Sequence, residues 1–244
     1  MASRVPGSLG MSESTPPIDP GTLVRATSPQ VRPVGTTPAA APAPAAATKL
    51  DDDTRALAAV AYGEGSTDNV FEEMAAIANV LVRQQKARGY ATISAFIKAN
   101  KTYAFAAHDG NKRYGKLIKA TDQEIAADTG MDAAVRGARN ALSATPKDYA
   151  NGAYFWDGAD IKSNYANHPK VLVGIKFTDP KHNIYNIAEK NVPDENFWMD
   201  ANNRPTKSRG KWNYKFESTA AYGGTIFWKY NEDFLKATKN KEYN

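Results

Sequence analysis

Proline use changes sharply near residue 50, and that break constrains this chain more than any other feature. Nine of the 14 prolines lie between Pro6 and Pro44, and five in everything that follows. Residues 1–49 combine Pro, Ala, Thr, Ser and Gly with no aromatic residue and end in the run AAAPAPAAAT. Such a segment cannot bury enough apolar surface to offset the entropy lost on ordering its backbone. It reads as a disordered tail or linker, or as a passive spacer. Residues 50–244 have globular composition and the size of one domain. With no cysteine in the chain, disulfides, cysteine-held zinc, iron–sulfur clusters and thiol nucleophiles are excluded. The net charge of +5 is too small to point to nucleic acid. No run of about 18 apolar residues predicts membrane insertion, and the N-terminus lacks the apolar stretch of an export signal.

The first half of the domain is patterned for helices. Asp51 to Thr54 offer N-caps before Leu57, Val60 and Ala61. Ser66, Thr67 and Asp68 offer a second cap before the stripe Val70, Met74, Ile77, Ala78 and Leu81. Residues 92–100, 121–128 and 131–144 are further helix candidates. All four tryptophans follow residue 150, among short β-prone runs at 153–156, 171–177, 183–187 and 224–230. The expected class is α+β: a mainly helical part, then short strands and long aromatic loops, with a cleft between them.

The most informative stretch is Tyr62-Gly63-Glu64-Gly65-Ser66-Thr67-Asp68, an acid between two glycines after an apolar helix. A carboxylic acid partly desolvated at a helix end keeps its proton nearer neutral pH and can give it to a leaving oxygen, as glycosidic cleavage requires. The plain alternative is a surface Glu in a Gly-rich turn. A second carboxylate would decide between retention and inversion. On the helical wheel Glu73 borders the apolar stripe and Glu72 faces away, so Glu73 is a candidate base or tuner of Glu64, or else a salt-bridge partner of Arg83 or a lysine. Asp157 and Asp160, beside Tyr154, Phe155 and Trp156, have a composition suited to holding sugar hydroxyls against an apolar face; turn capping is the alternative. His108, His168 and His182 show no metal-ligand spacing, so no metal and no cofactor is assigned. Motifs for a serine nucleophile elbow and for nucleotide phosphates are absent.

The segment Leu57–Arg83, LAAVAYGEGSTDNVFEEMAAIANVLVR, resembles the opening of the SleB-type cell wall hydrolases. Ala138–Leu142 followed by Asp148-Tyr149-Ala150-Asn151-Gly152-Ala153-Tyr154-Phe155 is similar to that family's later helix and its Asp-x-x-x-Gly-Ala-aromatic signature. Residues 92–105, with Tyr103, match more weakly. The resemblance spans about residues 55–156. Val82 departs from the family's asparagine, and residues 157–244 have no counterpart. It implies a lysozyme-like domain that cuts the glycan strand of peptidoglycan as a muramidase or lytic transglycosylase. Glu64 would be the general acid, and Asp68 falls where the family has a second acid in its turn; from the residues themselves, Tyr103, Tyr154, Trp156, Asp157 and Asp160 are the candidate substrate contacts. An enzyme of this kind without an export signal implies delivery by a carrier, as a type VI secretion effector acting in a target bacterium's periplasm, with a cognate immunity protein. A phage endolysin of the same chemistry, a nuclease-type toxin using His182 and a non-catalytic sugar-binding module are the alternatives.

Overall fold

The computed structural model describes residues 49–244; apart from Lys49, the expected tail lies outside the described residues. Helix α1 (Asp52–Glu64) starts where the Asp51 side chain accepts the Thr54 N–H at 2.8 Å. Leu57 to Ala61 are buried on every side, so this is a central helix rather than a surface one. Helix α2 (Phe71–Ala87) buries Glu73 to Val82 without interruption. Around these two pack α3 (Ile93–Ala99), the 3-10 turn 105–107, α4 (Lys112–Lys119), α5 (Asp122–Ala127) and α6 (Thr129–Leu142). The predicted helices at 92–100, 121–128 and 131–144 are thus present, whereas α4 and the turn before it carry too few apolar residues to signal themselves.

The second half is more regular than the expected loops. Strands β1 (Phe155–Asp157), β2 (Ile175–Lys176), β5 (Phe216–Tyr222) and β6 (Thr225–Tyr230) form a sheet in the order β1-β6-β5-β2, antiparallel except for the β2–β5 pair. Strands β3 (Asp194–Met199) and β4 (Pro205–Trp212) make a separate antiparallel ribbon. Of the predicted runs, 153–156 and 224–230 become β1 and β6. The run 171–177 splits between a short helix, α8 (Pro169–Leu172), and β2, while 183–187 forms no strand, its turn held by the Asn183 side chain bonding to Ile187. Helix α7 (Asp160–Ser163) lies between β1 and α8, and α9 (Glu232–Thr238) packs Phe234 and Ala237 against Trp212 of β4. The molecule is therefore α+β.

Alternation along β6 joins the two halves, because successive strand residues face opposite sides of a sheet. Phe227 enters the helical core with Leu57, Met74, Ile77 and Ala220. Ile226 and Trp228 enter a second core with Ile161, Val171, Ile175 and Phe216.

Candidate active site

Glu64 is the last residue of α1. Its Oε1 accepts the Ala106 N–H at 2.7 Å, which fixes the carboxyl at the helix end. Gly63 makes this approach possible: a Cβ there would lie 2.7 Å from the Cβ of Ala106. The neighbour admitted by this glycine is the turn 105–107. Burial raises the Glu64 pKa above the ordinary carboxyl value and the nearby Asp109 charge adds to this, while the Ala106 hydrogen bond opposes it.

Glu64 opens into a groove of about 280 Å³ that it shares with Thr102, Tyr103, Phe155, Trp156, Asp157 and Lys170. Tyr103, Trp156 and Asp157 thus line the same groove as Glu64. Tyr103 is held by the Gln84 side-chain amide, which donates to its hydroxyl at 2.9 Å, and its ring meets those of Trp156 and Phe155 at 6.3 and 6.4 Å. The Lys170 ammonium donates to Oδ1 of Asp157 at 2.9 Å. Asp157 is therefore an ion-paired groove carboxylate, not a turn cap.

Four expected site residues do not line this groove: Glu73, Asp68, Tyr154 and Asp160. Glu73 is wholly buried and does not line the groove. It sits in the first turn of α2, and both its oxygens are taken. Oε2 accepts the Ser66 N–H (3.1 Å) and hydroxyl (2.6 Å), and Oε1 accepts the Gly224 N–H (3.0 Å) and the Thr225 hydroxyl (2.7 Å). Neither proposed salt bridge forms, since Arg83 pairs with Asp148 at 2.6 Å. This reach backwards from the third helical position resembles a capping box, and it replaces the predicted Ser66–Asp68 cap, for the N-cap is Val70 with no side-chain bond. Asp68 is exposed and lies outside the groove. Arg113 draws the Ser66 carbonyl (2.5 Å) and the Asn69 side chain (2.8 Å) inward, leaving Thr67 and Asp68 to face water. Tyr154 turns into another hollow, shared with Arg83, Lys86 and Asp148, where its ring lies 5.6 Å from the Arg83 guanidinium.

Asp160 does not line Glu64's groove but stands beside Asp157 through His168, to which the sequence assigned no role. His168 Nε2 lies 3.4 Å from an oxygen of each acid. The spacing of 157, 160 and 168 follows no helical rule, because the bend through α7 and the 3-10 turn 165–167 brings them together. His182, by contrast, bonds the Ser218 hydroxyl at 2.9 Å, and burial lowers its pKa. The basic residues of the ribbon are partly neutralised: Arg204 pairs with Asp200, Lys211 with Glu195, and Arg209 stacks over Trp198. A wider hollow of about 530 Å³ between α4, α5 and α6 contains the Lys116–Asp128 pair and no acid with a raised pKa.

No family model, no curated protein and no solved structure matches this chain.

Proposed function

We propose that this protein cleaves the glycan strand of bacterial peptidoglycan, with Glu64 as the proton donor, on a lysozyme-like arrangement of helices and sheet. One observation carries the reading: a carboxyl group held by a backbone N–H, with its pKa raised by burial, opens into a groove walled by Tyr103, Phe155 and Trp156. Aromatic faces suit the apolar faces of sugar rings. The groove is close to the lower end of small-molecule sites, about 300–1,000 Å³, so it seats one ring of a strand laid across it. Glu64 protonates the glycosidic oxygen while positive charge develops on the neighbouring sugar. With Glu73 committed to four donors, Asp157 is the other carboxylate in the groove. Its pairing with Lys170 fits charge stabilisation better than free nucleophilic attack.

The nuclease-type alternative has less support, since His182 is engaged with Ser218 and Arg204 and Lys211 of the basic ribbon are already ion-paired. Delivery as a secreted antibacterial effector, with a carrier and an immunity protein that plugs this groove, extends the same reading. Among the described residues no helix is long and apolar enough to cross a membrane. The deciding experiment is mass spectrometry of cell-wall digests. Soluble muropeptides with reducing ends indicate hydrolysis and those with anhydro ends transglycosylation. No glycan products from purified walls would refute the proposal.

A further inference from the structure

At the outer end of the groove, His168, Asp157 and Asp160 converge with no role in proton donation. The His168 residue is 4% exposed, and its Nε2 stands 3.4 Å from Oδ1 of Asp157 and 3.4 Å from Oδ2 of Asp160. These separations are long for N–H···O hydrogen bonds, which fall at about 2.7–3.2 Å. They match the edge of a tetrahedron around an ion with bonds of about 2.1 Å, which is roughly 3.4 Å. One donor atom from each of the three residues lies within 4.8 Å of the others. Asp160, with its side chain 67% exposed, is free to close the remaining gap.

A second observation is independent of these distances. The Asp157 side chain is only 10% exposed, and its Oδ2 has no hydrogen-bond partner among the described residues; the same is true of His168 Nδ1. Lys170 engages only Oδ1, the oxygen that faces His168 Nε2, so the lone pairs of Oδ2 on the same buried carboxylate stay unused. A buried acceptor without a partner is costly, and an ion shared with His168 removes that cost.

We propose that Asp157, Asp160 and His168 form a binding site for a divalent transition metal, Zn²⁺ or Mn²⁺. One imidazole and two carboxylates favour these ions over Mg²⁺ and Ca²⁺, which prefer all-oxygen shells. Asp157 ends β1, Asp160 begins α7 and His168 immediately precedes α8. The ion thus fastens residues 157–170 as the groove wall that carries Asp157 and Lys170. The inference stands apart from the cleavage reading, because metal binding is measured without any substrate.

The test uses the full chain, stripped with chelator and dialysed against Zn²⁺ or, separately, Mn²⁺. Elemental analysis should find about one equivalent retained. Thermal melting should rise with metal concentration and return to the stripped value on chelation. His168→Gln should abolish binding; because His168 is buried, Asp160→Asn provides the variant that keeps its fold. Its metal-free melting point should equal that of the wild type, with metal affinity reduced by about tenfold or more. Substoichiometric metal in the wild type, as expected if an imidazolium simply bridges the two acids, would overturn the proposal. So would undiminished affinity in Asp160→Asn.

Discussion

Replacing Glu73 separates a fold-holding carboxylate from a catalytic one. Each of its oxygens receives one backbone N–H and one hydroxyl: Ser66 on one side, Gly224 and Thr225 on the other. In Glu73→Gln the amide nitrogen must face one of these pairs. The hydroxyl on that side can turn and accept, but the backbone N–H cannot, so one buried donor loses its partner whichever way the amide points. Hydrogen bonds to a charged group are worth about 1.5–3 kcal/mol, so the expected loss is about 2–3 kcal/mol. For a domain of this length that lowers the melting temperature by about 4–12 °C. Glu73→Ala strands both N–H groups and opens a cavity, costing about 4–6 kcal/mol, a large share of a typical total of about 5–15 kcal/mol. Calorimetry gives the stability, and wall-solubilisation assays well below the melting transition give the activity. Glu73→Gln should remain active where it remains folded. A Glu73→Gln protein that melts like the wild type yet cannot cut cell walls would show that Glu73 takes part in the chemistry.

Glu64→Gln should lower wall cleavage by at least about 10²–10⁴-fold, the usual worth of a general acid, with the Ala106 N–H still accepted by the amide oxygen. Because the folded-state pKa of Glu64 is raised, the unfolded chain releases this proton first as pH rises. The wild type's contribution from this group is therefore full at low pH and lost as pH climbs through the raised pKa. Melting temperatures of Glu64→Gln relative to wild type should thus rise as pH climbs above the ordinary carboxyl value of 4.5, and a difference that falls as pH climbs would contradict the assigned burial. Wild-type activity, tracked by turbidity loss of cell walls, should decline over the same rise in pH. Gly63→Ala should push the turn 105–107 away, since its Cβ would meet that of Ala106 at 2.7 Å, and should reduce kcat more than it weakens binding of soluble glycan fragments. Trp156→Ala should raise KM for such fragments, and an unchanged KM would remove this ring from the sugar wall.

The helical half was legible because the larger apolar residues recur every three or four positions, Met74, Ile77 and Leu81 on α2 and Met131, Val135 and Ala138 on α6, although burial is continuous over Leu57–Ala61 of α1 and Glu73–Val82 of α2. The same periodicity placed Glu73 at the buried edge and Glu72 in water, as found. What it did not disclose was the partner, for Gly224 and Thr225 lie 151 and 152 residues further on. The β3–β4 ribbon escaped notice because DENFWM and PTKSRGKW are mostly exposed or half-exposed along both strands, so no period-two alternation marks them. Glu64 was found from its local setting. Lys170 was missed and His168 set aside because only the bend after β1 brings them to Asp157, and no spacing rule encodes that bend.

The bond between Glu73 and the β5–β6 turn carries a consequence for the order in which this chain matures. The loop that follows Glu64 is anchored through Ser66 and Glu73 to the hairpin turn at Gly224 and Thr225, 151 and 152 residues beyond Glu73. Contacts between such distant parts of a chain form late. A ribosome must therefore release the chain past Thr225 before that anchor can exist, and a nascent copy shorter than this carries Glu64 without the support that holds its surroundings in place.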